Sequence, residues 1–178
     1  GVSSHQFDVA ERGFSTRFDA ELDMRMNQNE VLNAFTVVNE YEEVDLKRIL
    51  AEFGELSNAG AMANTIVQAR RENPIKNTEQ LKQVLSKFLP AHKSHKILAQ
   101  IYQAIRIEVN QEMEVLKEFL EQALDILKPG GRLSVISYHS LEDRLVKRFM
   151  KNGMFEGEPE RDFFGNFSVP FKLIGKLI

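Results

Sequence analysis

Leu127-Lys128-Pro129-Gly130-Gly131-Arg132-Leu133-Ser134-Val135-Ile136-Ser137-Tyr138-His139-Ser140-Leu141-Glu142-Asp143-Arg144 is the stretch whose reading decides the fold. It leaves an amphipathic run, passes a Pro-Gly-Gly stop, and continues as a short strand that leads into another helix, a βα unit. Gly130 and Gly131 can take the positive φ values that end a helix, and Pro129 cannot continue one. Over residues 133–138 both faces carry apolar groups, Leu133 and Val135 on one and Ile136 and Tyr138 on the other. That is the pattern of a strand covered by helices on both sides. Ser140, with Asp143 three residues on, predicts a capped helix start. Ligands of open α/β sheets bind beyond the carboxyl ends of the strands, so residues 137–140 are expected at the active edge. His139 is there a candidate for acid/base work, although such a His more often serves as a hydrogen-bonded support.

Upstream, residues 96–127 read as one long helical stretch, with apolar positions at Ile97, Leu98, Ile101, Ile105, Val109, Met113, Leu116, Leu120, Leu124 and Leu127. A bend is expected near Asn110, because Asn is a weak helix former and a good cap. Four shorter helices precede it. The first covers residues 30–38, and Val44, Leu46, Ile49, Leu50 and Phe53 form the face of the second. The third, capped by Ser57 or Asn58, runs to Arg71 before Asn73-Pro74. The fourth is capped by Thr78 and stopped by Pro90. A helical block of roughly 80 residues between two βα pieces predicts an insertion into an α/β domain. Residues 7–28 lack helical period and read as a long ordered loop, since Phe14, Phe18, Leu22, Met24 and Met26 supply apolar anchors. Downstream, residues 141–151 form a helix, 152–161 a Gly- and acid-rich loop, and 163–178 one or two strands with Pro170 at an edge or strand start.

The chain has 178 residues, 43% hydrophobic and 28% charged, which suits a soluble globular protein with a core of its own. Its net charge of -3 argues against nucleic-acid binding by bulk charge, though not against a local basic face. His92, Lys93, His95 and Lys96, with Arg70 and Arg71, are the candidates for that face, a solvated helix edge being the equal alternative. The absence of Cys excludes disulfides and zinc-thiolate sites and fits a cytoplasmic location. No run of ~18 apolar residues predicts a membrane span, and no metal-ligand spacing such as His-Glu-x-x-His occurs, so no metal is expected. Pro129-Gly130-Gly131 precedes its strand and is therefore not a phosphate cradle. Glu142, Asp143 and Arg144 read as helix-start capping. Gly1 follows no Met, and the last ten residues still read as strand, so both ends are expected to be cut.

Five co-linear segments carry a resemblance. They are Gly1-Val2-Ser3-Ser4-His5-Gln6, Arg12-Gly13-Phe14-Ser15, Leu22-Asp23-Met24-Arg25-Met26, Gln103-Ala104-Ile105-Arg106-Ile107-Glu108-Val109-Asn110 and Pro129-Gly130-Gly131-Arg132-Leu133 with Ser137 to Arg144. In order and spacing the chain resembles the bacterial small-subunit rRNA cytosine-N4 methyltransferases of the MraW type. The resemblance implies an α/β fold: a partial Rossmann-like methyltransferase sheet over residues 1–8 and 109–178, with a loop and large α-helical insertion domain, the RNA-recognition part, over residues 9–108. It implies S-adenosyl-L-methionine as cofactor, with Gln6 at its site. Small-subunit rRNA or the ribosomal subunit is the implied partner. Ser3, Ser4 and His139 are the catalytic candidates. Phe14, Arg25 and Arg106 are the substrate-binding candidates, the loop that carries Phe14 and Arg25 being expected to hold an unstacked base.

The family's Gly-rich cofactor loop, the Asp two places before Gly1 and the basic C-terminal tail have no counterpart in this sequence. The expectation is therefore a truncated, inactive form, prone to self-association through an exposed sheet edge. The alternative is a non-enzymatic helical module that binds RNA or protein. An oxidoreductase reading fails for want of a Gly-x-Gly-x-x-Gly after a strand.

Overall fold

The computed structural model describes residues 13–14, 19–159, 163–164, 169–172 and 174. The chain divides into two compact units, one over Val2–Gln111 and the other over Glu112–Ile178.

The first unit is helical. After a loop that includes residues 19–33 come α1 (Ala34–Glu40), α2 (Glu43–Glu52), α3 (Ala59–Glu72), α4 (Thr78–Val84), a single 3-10 turn (Ser86–Phe88) and α5 (Ser94–Asn110). Apolar residues at helical spacing pack α2 against α3, and both α1 and α2 against α5. Val37, Val38, Leu46, Ile49, Leu50, Met62, Ile66, Leu81, Ile101 and Ile105 are almost fully buried in one core. Loop residues Phe14, Leu22 and Met24 belong to that core, so the described part of the expected loop is anchored by its apolar residues, while 7–12 and 15–18, with Phe18, lie outside the described residues. The helix starts differ from expectation in their caps. Asn33 caps α1 by accepting the Thr36 N–H at 2.9 Å. Asn77, not Thr78, caps α4 by accepting the Gln80 N–H at 2.8 Å. Thr78 is instead buried as the first helical residue, and its hydroxyl accepts the Ala20 N–H at 3.0 Å.

The expected single helix over 96–127 is two helices. Gln111 adopts a left-handed conformation (φ 49°) and ends α5, and α6 (Glu112–Ile126) starts at the next residue. The expected bend near Asn110 is thus a full break, and its cause is tertiary: the Asn110 side chain is committed to the loop at residues 24–26.

In the second unit α6 is followed by a tight turn in which the Gly131 N–H donates to the Lys128 carbonyl at 2.8 Å. Pro129 sits at its second position and Gly130 (φ 84°) at its third, the arrangement of a type II turn. Residues 132–138 run extended into α7 (Ser140–Asn152), which Gly153 (φ 73°) closes. Leu120 of α6 and Phe149 and Met150 of α7 form the core, joined by Leu133 and Val135, while Phe155 stacks on Phe149 at 4.5 Å between centroids.

The expected strand at 133–138 is not formed. Its side chains alternate as a strand's would, Leu133 and Val135 turned to the core and Ile136 and Tyr138 exposed at 82% and 79%. A strand is defined by a hydrogen-bonded neighbour, and the described residues supply none beside it. Among the described residues the sole β pairing is an isolated antiparallel bridge between Glu21 and Asn77. The described part of 163–178 is likewise not strand.

Candidate functional site

The start of α7 is built around His139. The sequence predicts Ser140 as cap with Asp143 as its partner; the cap is His139, one residue earlier. Its backbone is extended (φ -141°, ψ 163°) and its Nδ1 accepts the Glu142 N–H at 3.4 Å. Glu142, three residues on, reaches back, its Oε2 accepting the Tyr138 N–H at 2.8 Å. The result is a variant of the Ser/Thr-x-x-Glu cap, with an imidazole in place of the hydroxyl and the Glu accepting the N–H of the residue before the cap. The other carboxylate oxygen of Glu142 lies 3.6 Å from His139 Nε2, and both side chains are 12% exposed.

Glu112, from the first turn of α6, completes a group in which one ligand atom of each of Glu112, His139 and Glu142 lies within 4.8 Å of the others. The distances would suit a cation, but the tautomer does not. With Nδ1 accepting a backbone N–H, the proton of the neutral imidazole sits on Nε2, the nitrogen that faces the carboxylates, and makes it a donor rather than a metal ligand. The chemistry this arrangement supports is an imidazole held through Nδ1 by the Glu142 N–H, with Nε2 turned toward carboxylates, the Glu142 oxygen lying beyond hydrogen-bond distance at 3.6 Å. Sequence spacing missed Glu112 because it lies on a different helix.

In the helical unit the loop at 21–30 is held by two residues. Arg25 donates from Nε and Nη2 to the Asp23 carboxylate at 2.7 and 3.0 Å, and from Nη1 to the carbonyls of Gln28 and Glu30 at 3.1 and 2.8 Å. The hydrogen bond to Asp23 raises its pKa, keeping it charged. Asn110 donates from Nδ2 to the carbonyls of Met24 (2.8 Å) and Arg106 (2.9 Å) and accepts the Met26 N–H at 2.6 Å. Between them Met24 is fully buried in a left-handed conformation (φ 56°), a strained geometry for a residue with a side chain. Beside this loop opens a cavity of about 490 Å³ lined by Glu21, Asp23, Arg25, Asn33, Phe35, Lys76 and Asn77 among others.

Of the residues singled out from the sequence, Ser3, Ser4 and Gln6 lie outside the described residues. Phe14 is 3% exposed and packed in the core, which corrects the expectation that its ring offers a face to a base. Arg25 lines the cavity, but with its donors committed within the loop. Arg106 is half-buried on α5. Arg70, expected on a phosphate-binding face, is turned inward: its Nη1 donates to the Val38 carbonyl at 2.7 Å and its Nη2 to the Tyr41 carbonyl, and burial lowers its pKa. Those carbonyls lie at the end of α1, where a helix has acceptors to spare. Nearby, the Glu108 carboxylate accepts from the Tyr41 hydroxyl at 2.9 Å and from Arg48 at 3.0 Å. Burial first, then that hydrogen bond, pushes the Tyr41 phenol up to about 12. Among the described residues no helix is long and apolar enough to cross a membrane.

The model of the MraW methylase family covers residues 1–163, and the chain belongs to that family. Among curated proteins it is similar to Ribosomal RNA small subunit methyltransferase H of Flavobacterium johnsoniae, 76% identical over the whole chain and 59% of the relative. The proteins of that name from Cytophaga hutchinsonii and Bacteroides thetaiotaomicron are 52% and 51% identical over the whole chain. The chain spans 59% to 61% of the length of the first three relatives it matches.

Proposed function

We propose that this chain serves S-adenosyl-L-methionine-dependent methylation of the exocyclic N4 amine of a cytosine in small-subunit rRNA. The observation that carries the reading is its 76% identity, over all 178 residues, to a protein named Ribosomal RNA small subunit methyltransferase H. The family implies a Rossmann-like fold. In this reading residues 1–8 and 109–178 belong to the catalytic sheet and 9–108 to a loop and helical insertion that engages the rRNA. The separation of the chain into two compact units after Gln111 supports that arrangement. So does the strand-like alternation of residues 132–138, whose exposed face with Ile136 and Tyr138 suits a segment covered by further structure. Left uncovered, that face drives self-association.

Within the site, Gln6 contacts the cofactor and Ser3 and Ser4 orient the cytosine amine. His139, its Nδ1 held by the Glu142 N–H, is the third candidate at the active edge. The amine is a poor nucleophile because its lone pair is delocalised into the ring, so alignment with the sulfonium methyl supplies most of the acceleration, and no covalent intermediate is needed. The loop with Arg25, and Arg106 behind it, supports the RNA side of the site. Because the chain spans 59% of its relative, we propose that alone it neither binds the cofactor tightly nor transfers methyl.

The test uses a full-length protein containing this sequence, incubated with small-subunit RNA and methyl-labelled S-adenosyl-L-methionine. Labelled N4-methylcytidine after nuclease digestion is expected. Label on another atom, or none, would overturn the reading, and micromolar cofactor binding by the 178-residue chain alone would overturn the inactivity.

A further inference from the structure

We propose that the exposed turn at residues 90–96, with Lys87 before it, grips the phosphodiester backbone of RNA. The inference rests on the reading that the helical unit engages rRNA, and it assigns the surface and the mode of contact.

Charge segregation points to this turn. Although the chain carries a net charge of -3, no Asp or Glu occurs between Glu79 and Glu108. Over that interval Lys87, His92, Lys93, His95 and Lys96 are all exposed. Their backbone is fixed: the Lys93 N–H donates to the Pro90 carbonyl at 2.9 Å, closing a turn, and α5 starts at Ser94.

Several other cations of the unit are engaged internally, while Lys47, Arg71 and Lys76 are exposed but scattered along the sequence. Arg25 pairs with Asp23, Arg48 with Glu108 and Lys82 with Glu79, while Arg70 holds backbone carbonyls. None of His92, Lys93, His95 and Lys96 forms an ion pair among the described residues, and Lys87 lies over the Phe88 ring, 5.1 Å from its centroid.

This arrangement is unfavourable in the free protein. Lys93 at the N-cap and Lys96 in the first turn bring two like charges close together in sequence, and they sit at the positive end of the α5 dipole with no acid in its first turn. A polyanion laid across the turn reverses the sign of both terms.

The side chains select backbone over bases. Lysine ammoniums act as point charges toward phosphate oxygens, and a neutral imidazole adds one N–H donor. Residues 90–96 contain no aromatic side chain on which a base could stack, apart from the imidazoles themselves.

The test is a salt titration of the 178-residue chain binding fluorescein-labelled polyuridylate and single-stranded DNA of equal length. For the Lys93→Gln/Lys96→Gln variant the slope of log affinity against log salt is expected to fall by about 1.4 on both single-stranded probes. Lys47→Gln/Arg71→Gln, which removes the same charge from exposed positions of the same unit, is expected to leave the slope near its original value. Lys93→Arg/Lys96→Arg is expected to keep fold and slope, so that a misfolded glutamine variant would still leave a reading. Equal losses in both glutamine variants, an unchanged slope, or a loss of slope in the arginine variant would overturn the grip.

Lys93→Gln/Lys96→Gln in a full-length protein containing this sequence is expected to raise KM for RNA and leave kcat unchanged. Absence of cytosine methylation by the unsubstituted enzyme would instead sink the underlying functional reading. Normal methylation with unaltered salt slopes would sink the grip alone.

Discussion

Asn110 is the residue on which the loop of the helical unit depends. One amide side chain satisfies the Met24 and Arg106 carbonyls and the Met26 N–H, three backbone groups that would otherwise lose their partner. Asn110→Ala is expected to destabilise the chain by about 1–3 kcal/mol, because buried polar groups are left unpaired. Urea denaturation measures this, and faster amide exchange confined to residues 22–26 would identify the cause. Two phenols give a second prediction. Burial, first, pushes both Tyr41 and Tyr102 up to about 12 from an ordinary value near 10. A group whose pKa is higher in the folded state stabilises it fully below the unfolded value and loses that contribution as pH rises through the folded one. Stability should therefore hold up to about pH 10 and fall between there and pH 12, and the fall should be shallower in Tyr41→Phe/Tyr102→Phe. Identical profiles for the two proteins would refute this. Neither effect is legible in the sequence: Asn110 reads there as a helix breaker, and nothing near Tyr41 announces Glu108.

At the scale of elements, the ends of helices carry most of the specific chemistry. Gly153 closes α7 at φ 73°, and a Cβ there would meet Pro170 Cδ at 2.7 Å. Gly153→Ala is expected to cost about 1–2 kcal/mol from backbone conformation alone, with the clash in addition, read as a lowered denaturation midpoint. Replacing Leu120, fully buried between α6 and α7, by Ala should cost about 2–5 kcal/mol. A smaller loss would mean that the core of this unit collapses around the missing methyls. Helix positions were readable because apolar residues recur at helical spacing across α2, α3 and α5. Caps were less so. His139 and Asn77 displaced the expected Ser140 and Thr78, since any side-chain acceptor at the right backbone angle caps a helix and sequence alone leaves neighbouring candidates equivalent.

For the whole molecule the proposed self-association concerns the exposed face of residues 132–138. Ile136 and Tyr138 form an apolar surface with unmatched strand geometry, and in the proposed reading more of the sheet covers it. Analytical ultracentrifugation of the 178-residue chain is expected to show concentration-dependent association that Ile136→Lys abolishes. A monomer at all concentrations would remove self-association from the proposal. The same scale bears on the proposed RNA contact, for which a net charge of -3 is a poor guide. The acids lie elsewhere in the sequence from the exposed lysines at the start of α5, and a phosphate responds to the local field.

The sequence by itself determined which segments are helical, that the loop before them is anchored by apolar residues, and which family the chain resembles. Each of these rests on local periodicity or on contiguous motifs, which survive without knowledge of neighbours. Tertiary structure decided the rest. It broke one expected helix at Gln111 because Asn110 turns toward a loop far away in sequence, and it turned Arg70 and Phe14 inward. It also brought Glu112 to His139 and Glu142. The segment at 132–138 remains extended without becoming a strand, because alternation is written in the sequence but a β-ladder needs a second chain segment beside it.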